Sequence, residues 1–395
     1  MKRMTSPVRR ALAAVTACAA AGLAAVGAGS SGAVAAVGTP AWGRHTGHVT
    51  VYVADPLGGR VTPIPVATNQ PAKPIPIGSF PLVIAFTPDG KRAYVGSAAG
   101  LVTPIRTATN TALKPVNLGN ANGIDSIAFT PDGKTAFVGT EIGTVVPIRV
   151  ATNKAGRPIH AGDNPFSIAI TPDGKTAYVA NFTGNTVTPF RTATGTVLKP
   201  IRAGLGPAKI VITPDGKTAW VENNNESVGT TVTPINLRTN TAGRSITVGL
   251  DPEDIILTPN GRTLYVAVTG SDVVVPVNTA TRKAGPAIPV GTAPIALAIT
   301  PDGKTAFVAS FLSSTVTPIN TATNKAGKPI RVAPNPRWIA ITPDGRTVYA
   351  YSPAAGTVTP IRTATNTVLK PIKVPTAGEN PSAMAITPAP RCSRR

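Results

Sequence analysis

Apolar positions along the chain fall in short runs, and the runs recur. VIAF from Val83, SIAF from Ser126, SIAI from Ser167, KIVI from Lys209, DIIL from Asp254, ALAI from Ala296, WIAI from Trp338 and AMAI from Ala383 each lead into a turn. That turn is Thr-Pro-Asp-Gly at Thr87, Thr130, Thr171, Thr213, Thr300 and Thr342, Thr-Pro-Asn-Gly at Thr258, and decays to Thr-Pro-Ala-Pro at Thr387. Successive starts lie 41 to 45 residues apart. After the turn comes an aromatic-plus-valine run led by Tyr52, Tyr94, Phe137, Tyr178, Trp220, Tyr265, Phe307 and Tyr349. A VTPI-like run follows, with Pro63, Pro104, Pro147, Pro189, Pro234, Pro276, Pro318 and Pro360, and a PIxVG-like run ends the unit. Each unit therefore predicts four strands, A to D. Between A and B, proline presets φ near about −65°, aspartate suits the next position, and glycine takes the left-handed conformation of a type I turn plus bulge. Four short strands per unit, with turns at roughly 8 to 12 residues, predict a propeller blade.

The order of the pieces adds ring closure. The chain enters with a B strand around Val49 to Ala54 and ends with an A strand at Ala383 to Thr387, so its two ends complete one blade. The expectation is an all-β propeller of eight four-stranded antiparallel blades, with seven as the alternative.

The run Tyr178-Val179-Ala180-Asn181, the TPDGKTAYV hairpin and the segment TATNKAGKPI at Thr321 to Ile330 resemble the YVTN-family β-propeller repeats of bacterial and archaeal surface-layer proteins. The likeness covers nearly all of residues 45 to 388; WD repeats fit poorly, lacking the Gly-His and Trp-Asp pairs. The resemblance implies a secreted, surface-layer-type repeat protein. Two features depart from it: the family usually has seven blades, and here every C strand carries a proline. An interior proline forfeits a ladder hydrogen bond, so a bulge, or an amide turned away from its neighbour, is expected there.

Composition agrees. With 38 Gly and 41 Pro there is little room for long helices, and 42% apolar against 14% charged residues excludes a disordered chain. Lys2, Arg3, Arg9 and Arg10 precede an Ala/Val/Leu stretch, and Ala33-Val34-Ala35 offers a cleavage site. Residues 1–36 are thus expected to be a signal peptide, 37–390 a single propeller domain and 391–395 a basic tail. Secretion is the expected location; the alternative is a lipid anchor through Cys18 in Val15-Thr16-Ala17-Cys18. The other cysteine, Cys392, excludes a disulfide framework in the mature chain, which is expected to be monomeric and without a transmembrane span.

Charge changes the picture more. The net charge is +21, and in this strand order the A–B and C–D loops share one face. That face collects most of the bases, among them Arg106, Lys114, Arg149, Arg157, Arg191, Lys199, Lys328, Arg362 and Lys370, which are candidate polyanion contacts. Anionic cell-wall polymer or polysaccharide is the expected partner, and nucleic acid the less favoured one, because the few aromatics read as inter-blade core. The opposite face holds the remaining acids, with Arg60, Lys209 and Arg337 as its only bases. There Asp125, Asp163, Asp254 and Glu379 precede or open the inner strands, while Glu222 and Glu226 bound the most divergent loop. These six are the candidate ligand-binding acids.

No GxSxG elbow, HExxH helix or phosphate-cradling loop occurs, and His45, His48 and His160 are the only histidines. No catalytic residue, metal or cofactor is assigned. The expected function is a secreted, non-enzymatic binding or scaffold propeller. The alternative is a propeller hydrolase, lactonase or lyase with its site at the acidic channel mouth.

Overall fold

A computed structural model describes residues 49–388 apart from 79, 120, 122, 226–228 and 376–382. It is an eight-bladed propeller of antiparallel blades, as the repeat count predicts. The A strands, blades 1 to 8, are Ala383–Ile386, Pro81–Phe86, Ile124–Phe129, Pro165–Ile170, Pro207–Ile212, Pro252–Leu257, Pro294–Ile299 and Trp338–Ile341. Blade 1 takes its A strand from the C-terminal end, paired to Thr50–Asp55 with Val51 opposite Ile386 and Ala54 opposite Ala383. Each A strand packs against the next around the ring, so these eight strands surround the axis. Among the described residues the one helical element is a single 3-10 turn, Thr269–Ser271.

There is no common central core. Eight apolar clusters lie between neighbouring blades; one joins Tyr265, Val274 and Ile288 of blade 6 to Leu297, Val308 and Ile319 of blade 7. The B strands are therefore covered on both faces, and the aromatic that leads each is at most 1% exposed. In five blades that aromatic is tyrosine, and its hydroxyl donates to an asparagine Oδ1 in the C–D turn of the next blade. The pairs are Tyr52–Asn110, Tyr94–Asn153 and Tyr178–Asn240 at 2.5 Å, and Tyr265–Asn324 and Tyr349–Asn69 at 2.6 Å. The last joins blade 8 to blade 1. Each asparagine sits at φ 52–55°, the left-handed region it tolerates.

The A–B turns have the predicted chemistry plus one part the sequence did not disclose. In Thr87-Pro88-Asp89-Gly90 the Thr87 hydroxyl donates to Asp89 Oδ1 (2.6 Å) and accepts from the Arg92 amide (3.1 Å), while Asp89 Oδ1 accepts from the Lys91 amide (3.1 Å). Gly90 has φ 70°.

Two strand expectations are refined. The C-strand prolines cause no bulge: Tyr52 faces Pro63 and Tyr94 faces Pro104 in unbroken register. A strand residue's N–H and C=O point to the same side, and each proline carbonyl accepts from the D side, as in Ala72 N to Pro63 O at 2.8 Å. The missing amide thus faces D and costs the B–C ladder nothing. In response, D is split in most blades; blade 2 has Thr111–Ala112 and Val116–Asn117 as two short pieces flanking the proline.

Candidate functional site

The mouth is built by a repeated irregularity. In blades 2 to 7 the first A-strand residue pairs with the last B-strand residue, the second is skipped, and pairing resumes at the third. Proline opens five of these strands (Pro81, Pro165, Pro207, Pro252, Pro294) and Ile124 the sixth. The skipped residue is free of the ladder at the end of the innermost strand, where a bulge re-aims a side chain. These residues are Leu82, Asp125, Phe166, Ala208, Glu253 and Ile295. Arg337 holds the matching place in blade 8, its amide bonded to Tyr351 O at 2.8 Å.

Three positions of this ring are charged, and two of them act on each other. Burial pushes the Glu253 carboxyl up to about 7 against the pull of the Arg337 guanidinium, with Asp251 and Asp254 adding to the rise and an Asn224 hydrogen bond opposing it. Burial lowers Arg337, and Glu253 counters that. Glu253 belongs to blade 6 and Arg337 to blade 8, so their attraction links innermost strands two blades apart. In blade 3, burial pushes Asp125 up to about 7, helped by Glu141. Asp125 Oδ2 and Glu253 Oε2 are both buried without a hydrogen-bond partner.

Behind Glu253 lies a buried group of three. Lys209 opposes Glu222 in the blade 5 ladder and donates from Nζ to Asp254 Oδ1 of blade 6. Asp254 Oδ2 accepts from the Leu297 amide of blade 7 at 2.6 Å. Glu222 is 1% and Asp254 3% exposed, and Glu222 Oε2 has no hydrogen-bond partner. Burial, then Asp254 and Glu253, hold the Glu222 carboxyl well above its usual range; burial also raises Asp254, with Lys209 opposing. One ammonium serves two carboxyls, and it is bonded to Asp254.

Of the six candidate acids, the structure brings Glu222 and Asp254 together and puts Asp125 at the mouth. Asp163 is an exposed loop residue, and Glu226 and Glu379 lie outside the described residues. Glu253 and Arg337 were missed as site residues. Their signal was charge at a repeat position that is apolar in blades 2, 4, 5 and 7. Among the described residues no three His, Cys, Asp or Glu side chains are grouped to hold a metal ion.

The nine candidate polyanion contacts are all exposed, and Arg106, Arg149, Arg191 and Arg362 close their C strands on the turn-bearing face. On the mouth face, the D-strand residues Arg202, Arg331 and Lys373 oppose Thr186, Thr315 and Thr357, which begin their C strands. Its outer rim therefore has more bases than the three expected.

No protein-family model and no curated protein sequence matches the chain. Solved structures do. Hydrazine synthase of Kuenenia stuttgartiensis aligns at 23% identity over 72% of this chain and 96% of that one, with a TM-score of 0.60. The dihydro-heme d1 dehydrogenase NirN in complex with DHE aligns at 17% identity over 88% of this chain and 77% of that one, with a TM-score of 0.72. Likeness at this identity establishes the propeller fold. Both similar propellers are enzymes, and this is the finding that stands against the expectation of a non-enzymatic binding or scaffold module.

Proposed function

We propose that the chain is a propeller hydrolase or lyase performing acid–base chemistry at the mouth of its central opening, with Glu253 and Asp125 as the proton-transferring carboxyls. The observation that carries this reading is that two bulge positions on the innermost strands hold carboxyls raised to about 7. A group whose pKa lies near the working pH spends time in both forms and can give or take a proton with little penalty. Lactone opening and β-elimination both need such a pair. The repeats support a YVTN-type assignment, and the basic-then-apolar first 36 residues support export as the setting.

The dihydro-heme of the similar dehydrogenase is not carried to this chain. Haem iron takes His, Cys, Met or Tyr ligands; the charged groups at this mouth are carboxyls, one amine and one guanidinium, and Tyr351, whose carbonyl accepts from the Arg337 amide, has its side chain fully buried between blades 8 and 1. His160, the histidine among the described residues, is exposed on a D strand, opposite Thr144 at the outer edge.

The test is turnover of a panel of lactones and uronate-containing polysaccharides, followed by acid release and by formation of unsaturated product. Glu253→Gln and Asp125→Asn should each lower kcat by roughly 10²-fold or more without lowering Tm. A wild-type activity that both variants retain would refute the assignment.

A further inference from the structure

Arg337 differs from Arg60 and Lys209, the two cations of its face that are tied to a carboxylate. Arg60 pairs with Asp55 at 3.0 Å, and Lys209 is bonded to Asp254. Arg337 has no carboxylate within ion-pair distance among the described residues. Its guanidinium carbon instead lies 5.5 Å from the centroid of the Trp338 ring. Trp338 is 4% exposed and packs on Tyr351, 6.0 Å between centroids. Arg337 is half-buried; holding a guanidinium there with no carboxylate in ion-pair distance is unfavourable, and stacking on an aromatic face recovers only part of that cost.

The surroundings are also short of acceptors. Trp338 Nε1 and Tyr351 OH are buried and make no hydrogen bond. The seam between blades 8 and 1 thus holds a guanidinium with no carboxylate in ion-pair distance, and two donors enclosed in its apolar packing that make no hydrogen bond. Asp55, the nearest acid to Tyr351, already accepts from Arg60 and from the Gly58 amide at 3.0 Å. Of these three donors the half-buried guanidinium is the one an outside acceptor can meet.

We propose that Arg337 and Trp338 form the anchoring end of the mouth and that the molecule they anchor carries a single carboxylate. A carboxylate matches the planar fork of the guanidinium with two parallel hydrogen bonds, and Trp338 holds that plane fixed. Charge selects against a phosphate dianion. Arg337 already feels the Glu253 carboxyl, which Asp251 and Asp254 make more reluctant to ionise, so a second negative charge on the ligand would meet repulsion without a second partner. Glu253, reaching toward Arg337 from blade 6, then lies opposite the anchored end, where a reacting carbon would sit. This inference rests on the reading of the mouth as the site and names its substrate class.

Binding is measured by isothermal calorimetry at pH 8, where inorganic phosphate is mostly the dianion, with glucuronate, gluconate and benzoate as monocarboxylate probes, and with methyl glucuronate ester and inorganic phosphate as controls. At least one probe is expected to bind saturably. For that probe, Arg337→Met should weaken binding roughly ten- to a hundredfold, and Arg337→Lys should restore it only in part. Glucuronate's neutral ester and phosphate should bind more weakly than the monocarboxylates. Absence of binding by all three probes, phosphate binding as tight as theirs, or indifference to Arg337→Met in a protein of unchanged Tm would each overturn the inference. The functional reading fails separately, through turnover that survives Glu253→Gln and Asp125→Asn while probe binding still depends on Arg337.

Discussion

Phe307 breaks the ring of inter-blade tyrosine–asparagine hydrogen bonds at a place where the partner is present. Its ring is fully buried in strand B of blade 7, and the C–D turn of blade 8 still supplies Asn366 at φ 55°. The sister pair Tyr265–Asn324, one blade earlier, shows that a hydroxyl fits this register at 2.6 Å from the asparagine oxygen. Phe307→Tyr therefore adds one partly buried hydrogen bond to a site already shaped for it, worth about 0.5–1.5 kcal/mol. A ring spanning residues 49–388 unfolds with an entropy of order 0.7 kcal/mol/K at about 2 cal/mol/K per residue, so Tm should rise by about 1–2 °C. Phe137→Tyr is the built-in control. Blade 4 has Gly195 (φ 72°) where six others have asparagine and blade 6 has Arg282, and the Phe137 ring packs edge-on against Phe190, 5.0 Å between centroids. The new hydroxyl there has no amide to meet and should stabilise nothing, or cost about 1–3 kcal/mol if it is left dry. Adding Gly195→Asn should recover a coupling of about 1 kcal/mol, reduced by the few tenths of an ångström that Ile159 Cδ1 must yield to a new Cβ at 3.2 Å. Calorimetric and urea unfolding of wild type, Phe307→Tyr, Phe137→Tyr, Gly195→Asn and the Phe137–Gly195 double variant measure these quantities. Equal effects of Phe307→Tyr and Phe137→Tyr, or zero coupling in the Phe137–Gly195 cycle, would refute the asparagine's role.

Other consequences concern the mouth. Glu253 and Asp125 are raised in the folded chain, so the native state binds more protons than the unfolded one between the ordinary carboxyl range and about 7; stability should be highest near pH 4–5 and fall as pH rises to about 7. Glu253→Gln removes its share of that fall, matching wild type at pH 4–5 and exceeding it at pH 8 by up to about 3 kcal/mol; an unchanged pH profile in urea unfolding would contradict this. Lys209→Met leaves Asp254 and Glu222 buried together without a cation and should destabilise by about 3–5 kcal/mol at pH 7, less at pH 5 where both carboxyls take protons. A loss independent of pH would instead point to packing.

The propeller was legible because each of its decisive steps is local and repeated. Thr-Pro-Asp-Gly dictates its turn in every copy, and the displacement of strand A to the C-terminal end leaves one unpaired inner position that only ring closure fills. The split of strand D was hidden, because it depends on which way a proline carbonyl points. The Asn110-type positions looked like ordinary turn residues; that a tyrosine 58 residues earlier in the chain reaches them is a fact of blade stacking. At the mouth, Asp125, Glu222 and Asp254 were visible as acids in the right loops or strands. Glu253 and Arg337 were not, since singling them out requires the one-residue bulge that separates Glu253 from its neighbour Asp254. Without it, Glu253 faces the wrong way and reads as a solvated charge.

Repetition also supplies the reference against which the site's cost can be measured. At the positions of Lys209, Asp254 and Glu222, other blades carry small neutral or apolar residues: Val83 and Ala296 on strand A, and Gly96, Ala267 and Ala309 on strand B. The ring therefore has no structural need for an ammonium and two carboxyls there. Desolvating three ionisable groups is only partly offset by one ion pair and the Leu297 amide, and replacing such a group wholesale is neutral or stabilising by about 1–4 kcal/mol where packing is kept. The triple variant Lys209→Val, Glu222→Ala, Asp254→Ala restores sister-blade residues and should keep or raise Tm, although Lys209→Met alone lowers it. It should also remove the buried negative charge beside Glu253, lowering that carboxyl toward its ordinary range and shifting the acidic limb of the pH–rate profile downward. A triple variant as unstable as the single one would show that the cluster holds blades 5, 6 and 7 together; a stable one with a shifted profile would show that it is kept for its chemistry.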